Sequence, residues 1–155
     1  MGARFQVRAA DLADVPALAA IEPRCFSDPW SAAGFQEMLS APSILGLIAE
    51  GKSRAIAGYI VARVIDVEGE ILNLAVAPER RRQGIGALLL ESVLDDLRTR
   101  GVEAVFLEVR VSNQAAINLY LANGFHPIGQ RHGYYRRPVE DAMVLRWESA
   151  GAGRR

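Results

Sequence analysis

Arg81-Arg82-Gln83-Gly84-Ile85-Gly86 runs directly into the apolar stretch Ala87-Leu88-Leu89-Leu90. Two glycines one residue apart leave backbone N–H groups uncovered where a helix begins. The first turn of a helix has unpaired donors and the positive end of the macrodipole, a combination that suits phosphate. Arg80, Arg81 and Arg82 add positive potential beside it. The same residues also suit an ordinary helix start in a basic turn. Glu108 lies in Val105-Phe106-Leu107-Glu108-Val109-Arg110, where side chains alternate between faces. It shares a face with Phe106 and Arg110 and interrupts an apolar strand. It is either one half of an ion pair, with Arg110 or one of the 80–82 arginines, or a general base whose pKa apolar surroundings raise. Tyr120, beside Ile117 and Leu121 on a short helix, is either a core anchor or a proton donor to a leaving group. Asn113 reads as a helix cap that can also face a ligand. Tyr134 and Tyr135, after Gly133, suit either a turn or one wall of a cleft.

These residues need a scaffold, and the hydrophobic pattern supplies one. A first strand is expected at 5–8. Asp11 then caps a helix with Leu12, Val15, Leu18, Ala19 and Ile21 on one face and Pro16 in its first turns. Ser31 caps a second helix carrying Phe35, Met38 and Leu39. Three consecutive strands follow at 43–50, 55–65 and 70–76, joined by glycine-containing turns. The central helix spans 84–100, with Ile85, Leu89, Val93 and Leu97 opposite Glu91, Asp95 and Arg98. Further expectations are a strand at 104–111, a short helix at 114–123, and an antiparallel pair at 125–131 and 142–147. Strand, helix and strand from 71 to 111 imply a parallel pair joined right-handedly. The fold class is therefore α/β: a mixed sheet, mostly antiparallel, with a central parallel pair and helices on both faces.

Composition narrows the function. A chain of 155 residues buries a real core in one domain, and 50% hydrophobic with 23% charged residues is ordinary for a globular protein. Lys+Arg and Asp+Glu balance at 18 each, so no global charge points to nucleic acid or an anionic membrane. Cys25 is the only cysteine, which excludes an internal disulfide, and it is assigned a packing role. His126 and His132 are the only histidines, so no metal is expected. Without an apolar signal region or a spanning run of about 18 residues, a cytoplasmic protein is expected.

Gly46-Leu47-Ile48-Ala49-Glu50-Gly51-Lys52-Ser53 matches the spacing of a nucleotide-binding loop, but only formally. That loop needs bare amides between a strand and a helix. Here the apolar run is strand-like, Glu50 carries the wrong charge for phosphate, and another strand follows. Gly84-Ile85-Gly86 also fails the dinucleotide pattern, because Leu89 occupies the third glycine position.

Element order, the Arg81-x-x-Gly84-x-Gly86 loop and the segment from Asn113 to Tyr120 resemble the GNAT acetyltransferases over about residues 4–147. Three strings resemble the group of bacterial N-α-acetyltransferases that modify a small-subunit ribosomal protein beginning with alanine. They are Asn73-Leu74-Ala75-Val76-Ala77-Pro78, Leu107-Glu108-Val109-Arg110-Val111-Ser112-Asn113 and Ala116-Ile117-Asn118-Leu119-Tyr120. Pro29-Trp30-Ser31 and Tyr134-Tyr135 agree with it. The resemblance implies a GNAT-like domain over 1–150, with 151–155 as a flexible tail. It implies acetyl-CoA as co-substrate, without a metal. Arg81, Arg82, Gln83, Gly84, Ile85, Gly86 and Ala87 hold its pyrophosphate, the backbone of Leu74, Ala75 and Val76 pairs with its pantetheine arm, and Asn113 contacts it. Glu108 is then the base on the amine and Tyr120 the acid on the departing thiolate, with Trp30, Tyr134 and Tyr135 receiving the substrate. Gly133 departs from the group, which often has asparagine before the tyrosine pair, and the connection from Tyr135 to Glu140 is short.

The implied partner is the N-terminal segment of a ribosomal protein, with no direct nucleic acid or membrane contact. Two other readings share the cofactor residues: an enzyme acetylating a small-molecule amine or other protein N-termini, and a CoA-binding module without catalysis. Oligomeric state has no signature in the sequence.

Overall fold

The computed structural model describes residues 4–149. The expected tail at 151–155 lies outside the described residues. Among them, one sheet contains β1 (Gln6–Ala9), β2 (Ile44–Glu50), β3 (Ile56–Ile65), β4 (Glu68–Val76), β5 (Ala104–Arg110), β6 (His126–Tyr135) and β7 (Glu140–Glu148). The strand order is β1-β2-β3-β4-β5-β7-β6. Neighbours are antiparallel except β4 and β5, which run parallel. The helices are α1 (Val15–Cys25), α2 (Ala32–Ser40), α3 (Ile85–Thr99) and α4 (Gln114–Ala122).

β2 and β3 are almost continuously apolar, as strands covered on both faces must be. On one face Leu18 and Ile21 of α1 and Phe35 of α2 pack on Ile48, Tyr59 and Val61. On the other, Leu89, Leu90, Val93 and Leu97 of α3 pack on Leu47, Ile60, Val105 and Leu107. The formal nucleotide-loop match is the strand β2 followed by a turn, in which the Arg54 N–H donates to the Gly51 carbonyl at 2.9 Å. Leu89 is fully buried between α3 and the sheet. Leu89→Ala should therefore cost about 2–5 kcal/mol, read as a fall in urea midpoint with an unchanged m-value.

Three local expectations need correction. Asp11 caps a 3-10 turn, Leu12–Asp14, rather than α1; α1 starts at Val15 with Pro16 in its first turn. Asp14 supplies the reason: its carboxylate closes a reciprocal box with Asp11 and pairs with Arg8, which tightens that turn separately. The sixth strand does not end near residue 131 but continues through Tyr135, past a register shift between Arg131 and Tyr135. Its polar residues hide the strand period, and pairing with β7 creates it. There the Gly133 N–H donates to Asp141 Oδ1 at 2.8 Å. Tyr134 and Tyr135 are thus strand residues, not turn residues.

The parallel pair is joined over three residues only, from Glu68↔Ala104 to Glu70↔Phe106. β4 continues to Val76 and β5 to Arg110, so the strands separate beyond that point. The sheet opens at its middle, and the opening positions the site.

Candidate active site

A cleft of about 620 Å³ lies in this opening, lined by Leu72, Asn73 and Leu74 of β4 and by Leu107, Glu108 and Arg110 of β5. Asn113 and Tyr120 also line it, as do Glu22, Cys25 and Trp30. Strand alternation explains Glu108. Val105, Leu107 and Val109 are buried towards α3 and α4, so Phe106, Glu108 and Arg110 face the opposite way. The Glu108 side chain is 17% exposed. Its burial, and secondarily the Glu70 carboxylate, push its pKa up, while Arg131 pulls it down.

That arginine was not among the partners expected from the sequence. Arg131 of β6 reaches Glu108 Oε1 at 3.2 Å. Arg110 instead binds Glu140 Oε1 at 3.1 Å and the carbonyls of Arg136 and Pro138, with Tyr135 stacked under its guanidinium. Arg81 directs its guanidinium at the Val76 carbonyl and the Cys25 thiol. Sequence spacing cannot find Arg131, because β6 and β5 are neighbours only across β7.

Tyr120 is buried and lines the cleft, its ring edge-to-face with Phe125 at 5.6 Å between centroids. Burial, then Tyr135, raises its pKa well above an ordinary phenol, so the hydroxyl is a donor throughout the neutral range. Asn113 caps α4, its side chain accepting from the Ala116 N–H at 3.2 Å, and it also lines the cleft. Of the three residues expected to meet substrate, Trp30 and Tyr135 line the cleft. Burial and Tyr134 push the Tyr135 phenol up to about 12. Tyr134 is 48% exposed and stands outside that lining, under the Arg131 guanidinium at 5.6 Å.

The loop before α3 turns through two left-handed residues. Gly84 has φ +77° and Arg82 φ +66°. The Leu88 N–H donates to the Gly84 carbonyl, so the N–H groups of Ile85, Gly86 and Ala87 precede the helical ladder. Gly86 has a packing reason besides: a Cβ there would lie 3.2 Å from the Leu119 side chain of α4. Beyond Glu70, β4 has no β5 partner, which leaves one backbone edge of Leu74, Ala75 and Val76 facing the opening. The pyrophosphate and pantetheine of a CoA thioester fit these two features. Among the described residues no group of three or more His, Cys, Asp or Glu forms a metal site, and no helix is long and apolar enough to cross a membrane.

Two cleft residues escaped the sequence. Cys25, read as remote packing, lines the cleft and donates its thiol to the Val76 carbonyl at 3.5 Å. Glu22 is buried beside it. Its signal was legible: Leu18, Ile21, Glu22 and Cys25 follow helical spacing, so a carboxylate sits on an apolar stripe.

A sheet split at its parallel pair, a bare-amide helix start beside the opening, and a carboxylate and a phenol lining one cleft are the arrangement of an acyl-transferring protein. Residues 15–125 match the Acetyltransferase (GNAT) family, and the chain belongs to it. It is 38% identical over 135 residues to the [ribosomal protein bS18]-alanine N-acetyltransferase of Escherichia coli K12, covering 85% of this chain and 89% of that protein. It is 37% identical over 142 residues to the N-alpha-acetyltransferase RimI of Mycobacterium tuberculosis, covering 88% of each. The crystal structure of the E. coli ribosomal-protein-S18-alanine N-acetyltransferase superposes with a TM-score of 0.87 at 34% identity, covering 95% of this chain and 96% of that one.

The surroundings of Glu108 give a test of the base role that the resemblance implies for it. Arg131→Gln removes the cation that favours the carboxylate, so the acid limb of kcat/KM should move to higher pH. Glu70→Gln removes the competing anion and should move it to lower pH. Parallel pH–rate profiles of the two variants check both signs.

Proposed function

We propose that this chain acetylates the N-terminal α-amine of a ribosomal protein that begins with alanine, in the cytoplasm, using acetyl-CoA. The observation that carries this reading is that a largely buried carboxylate, Glu108, and a buried phenol, Tyr120, line one cleft. The identity to the E. coli and M. tuberculosis enzymes across most of the chain supports the substrate class.

Bound acetyl-CoA supplies an activated acetyl thioester. Ile85, Gly86 and Ala87 offer backbone N–H groups to the pyrophosphate, and Arg82 adds charge there. The edge of β4 at Leu74, Ala75 and Val76, which no β5 residue pairs with, receives the pantetheine arm. Glu108 accepts the proton that the attacking amine must lose, and Tyr120 donates to the departing sulfur. An α-amine of pKa about 7.7–8.0 is neutral at pH 7 a few hundredfold more often than a lysine of pKa about 10.4. A carboxylate is therefore base enough for an α-amine, whereas lysine would need stronger help. Trp30 and Tyr135 flank the place where the substrate's first residue sits.

The experiment offers the purified enzyme and acetyl-CoA three acceptors: a peptide with the Ala-starting N-terminus of bS18, the same peptide with its N-terminus blocked, and a small polyamine. Thiol release and mass spectrometry should report acetylation of the free α-amine alone. Acetylation of the polyamine in preference to the peptide would instead establish a small-molecule enzyme. No release with any acceptor would favour a CoA-binding module.

A further inference from the structure

Glu22 is 1% exposed and borders the cleft, yet the chemistry above does not use it. Its Oε1 accepts from the Tyr59 hydroxyl of β3 and from Asn73 Nδ2 of β4, the latter at 2.7 Å. Its Oε2 accepts from the same Asn73 nitrogen at 3.0 Å and from the Trp30 backbone N–H at 3.0 Å. All four contacts are to donors and none is to a cation. A buried carboxylate is costly to desolvate, and an apolar side chain of its size would fill the space without that cost. The contacts also form a closed ring. The Trp30 ring meets Phe35 edge-on at 5.3 Å, Phe35 meets Tyr59 edge-on at 5.6 Å, and the Tyr59 hydroxyl returns to Glu22.

The ring joins the two halves of the site. Trp30 belongs to the α1–α2 connection, which borders the place of the amine. Asn73 immediately precedes Leu74, whose backbone edge faces the place of the thioester. Phe26 of this connection also packs against the apolar cluster, and its other polar contacts lie at the surface: Asp28 to Arg137 at 2.9 Å, and Ser27 Oγ to Arg110 at 3.3 Å. Those polar contacts are exposed and contribute little to holding a loop.

We propose that Glu22 is a positioning residue for the amine pocket: its carboxylate fastens the Trp30 segment to the β3–β4 floor and thereby sets the distance at which the amine meets the acyl group. The proposal deepens the function above and rests on that reading for its kinetic arm. It acts through hydrogen bonding, so the acceptor facing the Trp30 N–H is what counts. In Glu22→Gln that acceptor is kept, because Asn73 can turn its amide over and Tyr59 can rotate its hydroxyl. In Glu22→Met it is lost at nearly constant volume.

Steady-state kinetics with the Ala-starting peptide and with acetyl-CoA test this, alongside acrylamide quenching of Trp30 in a Trp147→Phe background. Glu22→Met should raise the peptide KM about tenfold, the weight of one buried donor, the Trp30 N–H, left without its acceptor. It should leave the acetyl-CoA KM unchanged and make Trp30 more quenchable, and Glu22→Gln should return all three values to wild type. Glu22→Asp, which keeps the charge but withdraws it by one methylene, should reproduce the same split and serves if the Met variant does not fold. The proposal is overturned if Glu22→Gln is as impaired as Glu22→Met, if the acetyl-CoA KM rises equally, or if quenching and peptide KM do not move. A wild-type enzyme that ignores the peptide defeats the functional reading alone; the quenching series then still decides whether Glu22 holds Trp30.

Discussion

Glu108→Gln is expected to lower turnover of the peptide by about 10²–10⁴-fold, the usual weight of a positioned general base. The amide fills the same space but cannot take a proton, so acetyl-CoA binding should survive, and isothermal titration of acetyl-CoA against the variant checks this. The same substitution should leave the fold intact or firmer at pH 7. Burial and Glu70 hold the Glu108 pKa above its unfolded value, so folding favours the protonated form. Such a group adds stability below the ordinary carboxylate pKa and loses that contribution as pH rises through the raised one. At neutral pH the charged carboxylate is thus a liability that Arg131 only partly offsets. The melting temperature of Glu108→Gln should equal or exceed that of wild type at pH 7, and the difference should shrink at pH 4. An inactive variant that also melts much lower at pH 7 would place Glu108 in the fold rather than in the chemistry.

Tyr120→Phe is expected to reduce kcat about a hundredfold, at the lower end for loss of a proton donor. The ring is buried with its edge against Phe125, and phenylalanine keeps that contact. The melting temperature and the KM for acetyl-CoA should therefore change little. Because its pKa lies far above neutrality, Tyr120 stays protonated from pH 6 to 9, and the variant should lower the pH–rate profile without reshaping it. Single-turnover measurement of thiol release separates this effect from slow product departure. Wild-type kcat in Tyr120→Phe would require another donor at the sulfur.

Much of this architecture was legible because local chemistry and tertiary structure agree. The α3 stripe of Leu89, Val93 and Leu97 is buried as its period requires. Gly84 stands at the left-handed position that opens the helix, Ser31 caps α2 and Asn113 caps α4. Where the readings failed, side-chain or strand contacts beyond the local period were responsible. β6 carries polar residues from Gly129 to Gly133 and becomes a strand through β7. Asp14 draws Arg8 to itself and divides the first helix start into two pieces.

By itself the sequence determined the mixed sheet, the glycine loop ahead of α3, and the types of residue able to carry proton transfer. These follow from period, capping and backbone freedom, which act over a few neighbouring residues. Only the tertiary structure decided where β4 and β5 part, that Arg131 rather than Arg110 faces Glu108, and that Glu22 and Cys25 border the same cleft. Each of these joins segments distant in the chain. Strand order, sheet splay and the approach of α1 to β4 set them, and no local spacing records those distances.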